Sequence, residues 1–225
     1  MTAPAIVALE GANGVGKTYL AHRAAALLGS RCHLVAELPA SATADLPGRV
    51  ISALQGAGDA FLRTGVPLTE TLLLAALQVH RYESLPPLAS RTVVLEDRGP
   101  LSVAVYQAAI LHPGDPEAAL ARVSQILTLI GQWRPLPSRV LLLTDDPGRC
   151  RDRAARRNGH APGSSDLVLM AGAAALYEQL AERDPAGYTV LDRRQIGEQG
   201  CIRAIADVCT APATAFPAQT RGGER

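Results

Sequence analysis

Five short apolar runs punctuate the chain, at about 4–9, 32–37, 92–96, 139–144 and 188–191, and each is a nearly continuous Val/Leu/Ile series. Strands of that kind belong to parallel sheets covered on both faces; strands with one wet face alternate instead. Between the runs, helical spacing predicts helices near 17–28, 48–63, 68–89, 101–111, 116–132, 147–158, 166–183 and 195–207. The rhythm predicts an α/β fold of three layers, α/β/α, around a five-stranded parallel sheet. Residues 159–165, with two glycines, a proline and two serines, predict a mobile loop flanked by helices. From Thr210 to Arg225 no periodicity remains, so a frayed tail is expected after one domain spanning 1–209.

The first apolar run leads into Gly11-Ala-Asn-Gly-Val-Gly-Lys-Thr18, and a helical stretch follows. The string matches G-x-x-x-x-G-K-[ST] at every fixed position, in the strand–loop–helix context that a phosphate loop requires. In such a loop Gly11, Gly14 and Gly16 let the backbone approach a ligand, with Asn13 and Val15 between them, and successive amides face one concavity. Lys17 is then placed for the β- and γ-phosphates of ATP, and Thr18 for Mg²⁺. Lys17 is also the single lysine among 22 basic Lys and Arg side chains. An otherwise arginine-based chain keeps lysine where a compact ammonium is needed. The alternative, a glycine-rich turn with a surface lysine, is disfavoured by the complete match.

The 225 residues suffice for one sizeable core. With 48% hydrophobic and 19% charged residues and a net charge of +1, the composition speaks against nucleic-acid binding and against disorder. No apolar stretch has membrane-spanning length and no basic-then-apolar leader is seen, so a cytoplasmic location is expected. Cys32, Cys150, Cys201 and Cys209 lack C-x-x-C spacing and read as reduced thiols with no zinc site. The five histidines are isolated, and Trp133 is expected to pack where a helix meets the fourth strand.

Val93-Val-Leu-Glu-Asp97-Arg98 is a strand ending in an acid and a guanidinium. Beside a phosphate loop, Asp97 is placed for Mg²⁺ and Arg98 for a bidentate phosphate grip; a strand-end ion pair is the alternative. The continuation Gly99-Pro-Leu-Ser102-Val-Ala-Val-Tyr106-Gln107 completes D-R-x-x-x-S-x-x-x-Y-Q. With L-E-G-x-x-G-x-G-K-T at the start, Glu70-Thr-Leu-Leu-Leu-Ala-Ala, and Asp146-Pro-Gly-Arg-Cys-Arg-Asp-Arg153-Ala-Ala-Arg-Arg157, the chain resembles the thymidylate kinase family over about 4–207. The resemblance implies a phosphate-loop kinase fold with a helical lid at about 147–165, and a homodimer. It implies that Arg98 binds the acceptor's phosphate, that Asp97 supports the metal, and that Ser102, Tyr106 and Gln107 lie against the acceptor's base. Arg149, Arg153, Arg156 and Arg157, three and four apart, share a helix face that closes over the transferring group. Because no basic residue precedes Lys17 in the loop, donation from the lid is expected, as in the bacterial subgroup, with Arg153 and Arg157 as catalytic candidates. A solvated basic helix paired with Asp145, Asp146 and Asp152 is the alternative.

Four departures from the family's pattern concern the acceptor. Asn13 stands where the family has an acid, and Val35-Ala-Glu37-Leu-Pro39-Ala-Ser replaces T-R-E-P-G-G-T. Gly99 replaces the aromatic of D-R-Y, and the base-contacting arginine falls at Gln78 or at Arg81, three apart on one helical face. The expected activity is therefore ATP- and Mg²⁺-dependent phosphoryl transfer to dTMP or a related or modified nucleotide. Two other readings stay open. One is a kinase acting on a hydroxyl, with Glu37 as the base and Glu96 as a weaker candidate; the alternative for Glu37 itself is that it only orients loop and lid groups. The second is a non-catalytic nucleotide-binding protein, although guanine recognition through N-K-x-D is excluded by the absence of any further lysine. Leucine-rich stretches near 68–78 and 101–130 serve either as a dimer face or as core.

Overall fold

The structure is a computed structural model describing residues 4–38, 45–56 and 58–211. The expected tail beyond 211, and Pro39–Ser41 of the altered motif, lie outside the described residues. Among the described residues, five parallel strands, β1 (Ile6–Gly11), β2 (Cys32–Val35), β3 (Val93–Asp97), β4 (Arg139–Thr144) and β5 (Tyr188–Asp192), form one sheet in the order β2-β3-β1-β4-β5. All six residues of β1 and all five of β3 are buried, as their unbroken apolar runs require.

Helices cover both faces. On one, α1 (Lys17–Leu28) and α8 (Arg193–Thr210) press Leu20, Ala24 and Ile205 against Leu9, Leu95 and Leu141. On the other, α4 (Pro100–Leu111), α5 (Pro116–Gly131) and α7 (Ser164–Arg183) pack Val105, Leu120, Val123 and Tyr177 over Leu142. Nine consecutive residues of α4, Pro100 to Ala108, are buried, so this helix is apolar all round, as a helix enclosed by others must be. The helices α2 (Leu46–Gln55) and α3 (Pro67–Glu83) make a smaller cluster with α4 through Ile51, Leu54, Leu74, Leu77 and Val103. Finally, α6 (Pro147–Asn158) follows β4.

Start signals are local. Asp115-Pro116 and Asp146-Pro147 open α5 and α6, with each aspartate accepting from the amide three residues on, Ala118 at 3.0 Å and Arg149 at 2.9 Å. Two predicted helices end earlier than expected. The one placed at 48–63 stops at Gln55, because Asp59 instead accepts from the amides of Phe61 (2.8 Å) and Arg63 (3.2 Å) in a tight turn. The one placed at 68–89 stops at Glu83, ahead of Pro86 and Pro87, which restrict the preceding backbone. Trp133 also departs from expectation: it is 70% exposed, and its neighbour Arg134 is the buried residue, at 3%. Of the two leucine-rich stretches, α4 is core, whereas Leu68 and Leu72 of α3 and Leu129 of α5 remain exposed. No helix among the described residues is long and apolar enough to cross a membrane.

Candidate active site

Parallel strands present their carboxyl ends along one edge, and the pairing Leu9↔Asp97 sets the end of β3 beside the loop that leaves β1. That loop runs from Gly11 to Gly16, with φ of +79° at Gly14 and +97° at Gly16. A side chain at Gly14 would also collide with the backbone oxygen of Cys150 on α6, so glycine is required twice over. Lys17 opens α1 and is 3% exposed, with Nζ donating to the carbonyls of Gly11 and Ala12 at 2.8 Å each. Burial lowers its pKa well below that of an ordinary lysine, as does Arg98, while Asp97, Glu10 and Glu37 oppose the shift. Thr18 is exposed at the helix start. Asp97 is 1% exposed, and neither of its carboxylate oxygens has a hydrogen-bond partner among the described residues. Burial raises its pKa, opposed by the Thr18 side chain and by the charges of Arg98 and Lys17.

Next to the loop opens a cavity of about 260 Å³. Its polar wall includes Asn13, Glu37, Gln78, Arg98, Ser102 and Gln107, and its apolar wall Phe61, Leu74, Val103 and Tyr106. Arg98 has a left-handed backbone, φ +62°, pinned by its own amide on Leu9 O (3.2 Å) and by Arg81 Nη1 on its carbonyl (2.8 Å). Its Nε donates to Glu37 Oε2 at 2.9 Å, its Nη2 to Asn13 Oδ1 at 3.3 Å, and its guanidinium lies 5.8 Å from the Tyr106 ring centre. Burial acts against the Arg98 charge, yet Tyr106, Glu37, Tyr177 and Asp97 raise its pKa above the ordinary value.

The two positions left open for the base contact separate here. Gln78 lies in the cavity wall. Arg81 sits behind it, donating to the carbonyls of Val35 (3.3 Å), Ala36, Asp97 (3.4 Å) and Arg98 (2.8 Å), and so ties the ends of β2 and β3 together. Gln107 accepts from Thr71 Oγ1 at 2.9 Å, and Tyr106 stacks on Phe61 with ring centres 5.7 Å apart. Gly99 fits its place because a Cβ there would come within 2.8 Å of Glu96 Oε2 and 3.3 Å of Glu10 Oε1.

Beneath the cavity floor lies a group to which the sequence reading assigned no role. Glu10, fully buried in β1, accepts from the Gly99 amide (2.8 Å), the Ser102 hydroxyl and the Tyr177 hydroxyl (3.1 Å). Burial raises its pKa from 4.5 to about 7, against the lowering effects of Ser102, Lys17, Gly99 and Arg98. An acid that closes an otherwise apolar strand was the available signal. Phe61 and Tyr177 carried no comparable signal. Glu96, the weaker base candidate, is committed elsewhere, paired with Arg134 Nη2 at 2.7 Å.

On α6, two of the four lid arginines reach the loop. Arg153 donates through Nε to Gly14 O and through Nη2 to Asp145 Oδ2, both at 2.6 Å. Arg157 donates through Nη2 to Asn13 Oδ1 at 2.9 Å. Arg149, Arg156 and Arg157 are exposed as residues, Arg153 half-buried.

The fold and this loop define a three-layer α/β/α architecture with a phosphate loop after its first strand. Among solved structures, the chain is similar to the thymidylate kinase from Ehrlichia chaffeensis, with a TM-score of 0.63 and 16% identity over 93% of this chain and 100% of that one. No family model and no curated protein sequence matches the chain. The chain thus has a thymidylate kinase-like fold at low sequence identity.

Proposed function

We propose that the chain is a nucleoside monophosphate kinase that transfers the γ-phosphoryl group of ATP, with Mg²⁺, to dTMP or a related or modified nucleotide. One observation carries this reading: Arg98, from the end of β3, and Arg157, from α6, converge on the same oxygen, Asn13 Oδ1, at 3.3 and 2.9 Å. Two guanidiniums brought together between a cavity and a phosphate loop form a seat for an anion, and an acceptor phosphate supplies one. The neutral Asn13 leaves that seat more positive than an acid would.

Lys17 has three ammonium donors, two of them used on Gly11 and Ala12, which leaves one for a donor phosphate. A bound polyphosphate also provides the counter-charge that keeps this buried amine protonated. The unpartnered oxygens of Asp97 and the adjacent Thr18 fit a Mg²⁺ ion and would hold it. Bound there, the ion would neutralise charge on the transferring group. Arg98 orients the acceptor phosphate, Glu37 orients Arg98, and Arg157 and Arg153 line the path between the two substrates. Gln78, Gln107, Ser102 and Tyr106 face the acceptor's base, with Arg81 supporting the wall from behind. An acceptor phosphate is already ionised near neutral pH, so positioning and charge neutralisation supply most of the acceleration and no strong base is required.

Residues 1–209 act in this reading as one catalytic domain, with about 147–165 as its lid, in a cytoplasmic protein. A homodimer would use the exposed α3–α5 face around Leu72, Leu129 and Trp133. A coupled ADP-release screen across NMPs, dNMPs and nucleosides tests the activity. Release dependent on dTMP or another monophosphate is expected; release with nucleosides alone, or with no acceptor at all, overturns the proposal.

A further inference from the structure

Arg193 is the first residue of α8, just past the carboxyl end of β5 and two strands away from β1. Its Nη1 donates to the carbonyl oxygen of Val15 at 2.6 Å, and a Cβ added to Gly16 would run into the same guanidinium. The side chain is 15% exposed and lies 3.9 Å from Asp145 Oδ2, the oxygen that also accepts from Arg153. Arg153 holds the preceding carbonyl, Gly14 O. Two successive loop carbonyls therefore each carry a guanidinium, and both guanidiniums are anchored on one carboxylate that is 4% exposed.

A trans peptide sends its C=O and the following N–H to opposite sides. With Val15 O held outward on Arg193, the Gly16 N–H is turned inward, the direction in which loop amides address phosphate. Gly16, at φ +97°, has no side chain of its own to hold that plane. We propose that Arg193, supported by Asp145, is a positioning residue of the donor site, fixing the Val15–Gly16 peptide to receive the polyphosphate of the nucleotide. The proposal rests on the nucleotide-binding reading of the loop. Arg193 acts through the backbone, so its effect follows the phosphates and not the base or the acceptor.

Displacement of a fluorescent ATP analogue by ATP, ADP and adenosine tests it on the full chain. Arg193→Ala is expected to weaken ATP and ADP about tenfold or more, the scale of a lost charged hydrogen bond, with adenosine and the KM of the acceptor unchanged. If the variant does not melt cooperatively, Asp145→Asn is read instead, with the same phosphate-dependent loss expected. Equal losses for all three competitors, or no loss in either variant, overturn the proposal. Failure of the wild-type protein to bind ATP at all is a different outcome, because it removes the nucleotide reading itself.

Discussion

The Nε of Arg98 donates to Oε2 of Glu37 at 2.9 Å, and both side chains line the cavity beside the phosphate loop. A carboxylate engaged with a guanidinium is an orienting group more than a base. Glu37→Gln is therefore expected to lower turnover by less than about tenfold, where loss of a general base costs about 10²–10⁴-fold. Steady-state kinetics with the best acceptor from the screen decides between them, and a loss in the larger range would favour hydroxyl phosphorylation.

Arg157 and its neighbour Arg156 are both exposed residues, but Arg157 reaches Asn13 with its guanidinium. Arg157→Ala should reduce kcat by about 10²–10³-fold, the scale of a lost transition-state donor, with little change in the KM for ATP. Arg156→Ala should have a much smaller effect. Equal effects of the two changes would return α6 to the status of a solvated basic helix.

The ion pair between Arg134 and Glu96 is buried, with side chains 0% and 2% exposed. The Arg134 guanidinium also donates to Gln78 O (3.3 Å) and Pro135 O (3.0 Å) and lies 5.3 Å from the Tyr82 ring centre. Arg134→Met should destabilise the fold by about 3–5 kcal/mol, because Glu96 is left as an uncompensated buried charge. Adding Glu96→Gln should recover part of that loss. Urea unfolding of the two variants measures both, and a double variant less stable than the single one would contradict this account.

Glu10 provides a pH test. Its carboxyl is raised from 4.5 to about 7, so between those values the folded chain holds a proton that the unfolded chain releases. That contribution is fully present below pH 4.5 and is lost as the pH rises through about 7. Relative to wild type, Glu10→Gln should flatten the fall in thermal midpoint between pH 5 and 7.5, Lys17 being common to both proteins. Parallel curves for the two proteins would show that Glu10 is ionised throughout.

Much of the fold was legible because its signals are short-range. Unbroken apolar runs placed all five strands within about two residues of their observed starts and ends. Helical spacing placed the starts of α5 and α6 at Pro116 and Pro147. The early end of α2 was hidden, because the Asp59 turn competes with a helical pattern that looks continuous in one dimension. Trp133 misled for a related reason: residue type alone favoured burial, yet the chain buries Arg134 there to partner Glu96 from β3.

By itself the sequence determined the phosphate loop, the parallel layered architecture and the Asp97–Arg98 strand end, since each depends on spacing within a few residues. Tertiary structure alone decided that Gln78 faces the cavity while Arg81 ties strand ends together. It also decided that Asn13 receives guanidiniums 85 and 144 residues away in the chain. The physical reason is that backbone propensity acts between near neighbours, whereas the partner of a buried polar group is chosen by which strands pair and which helices pack above them.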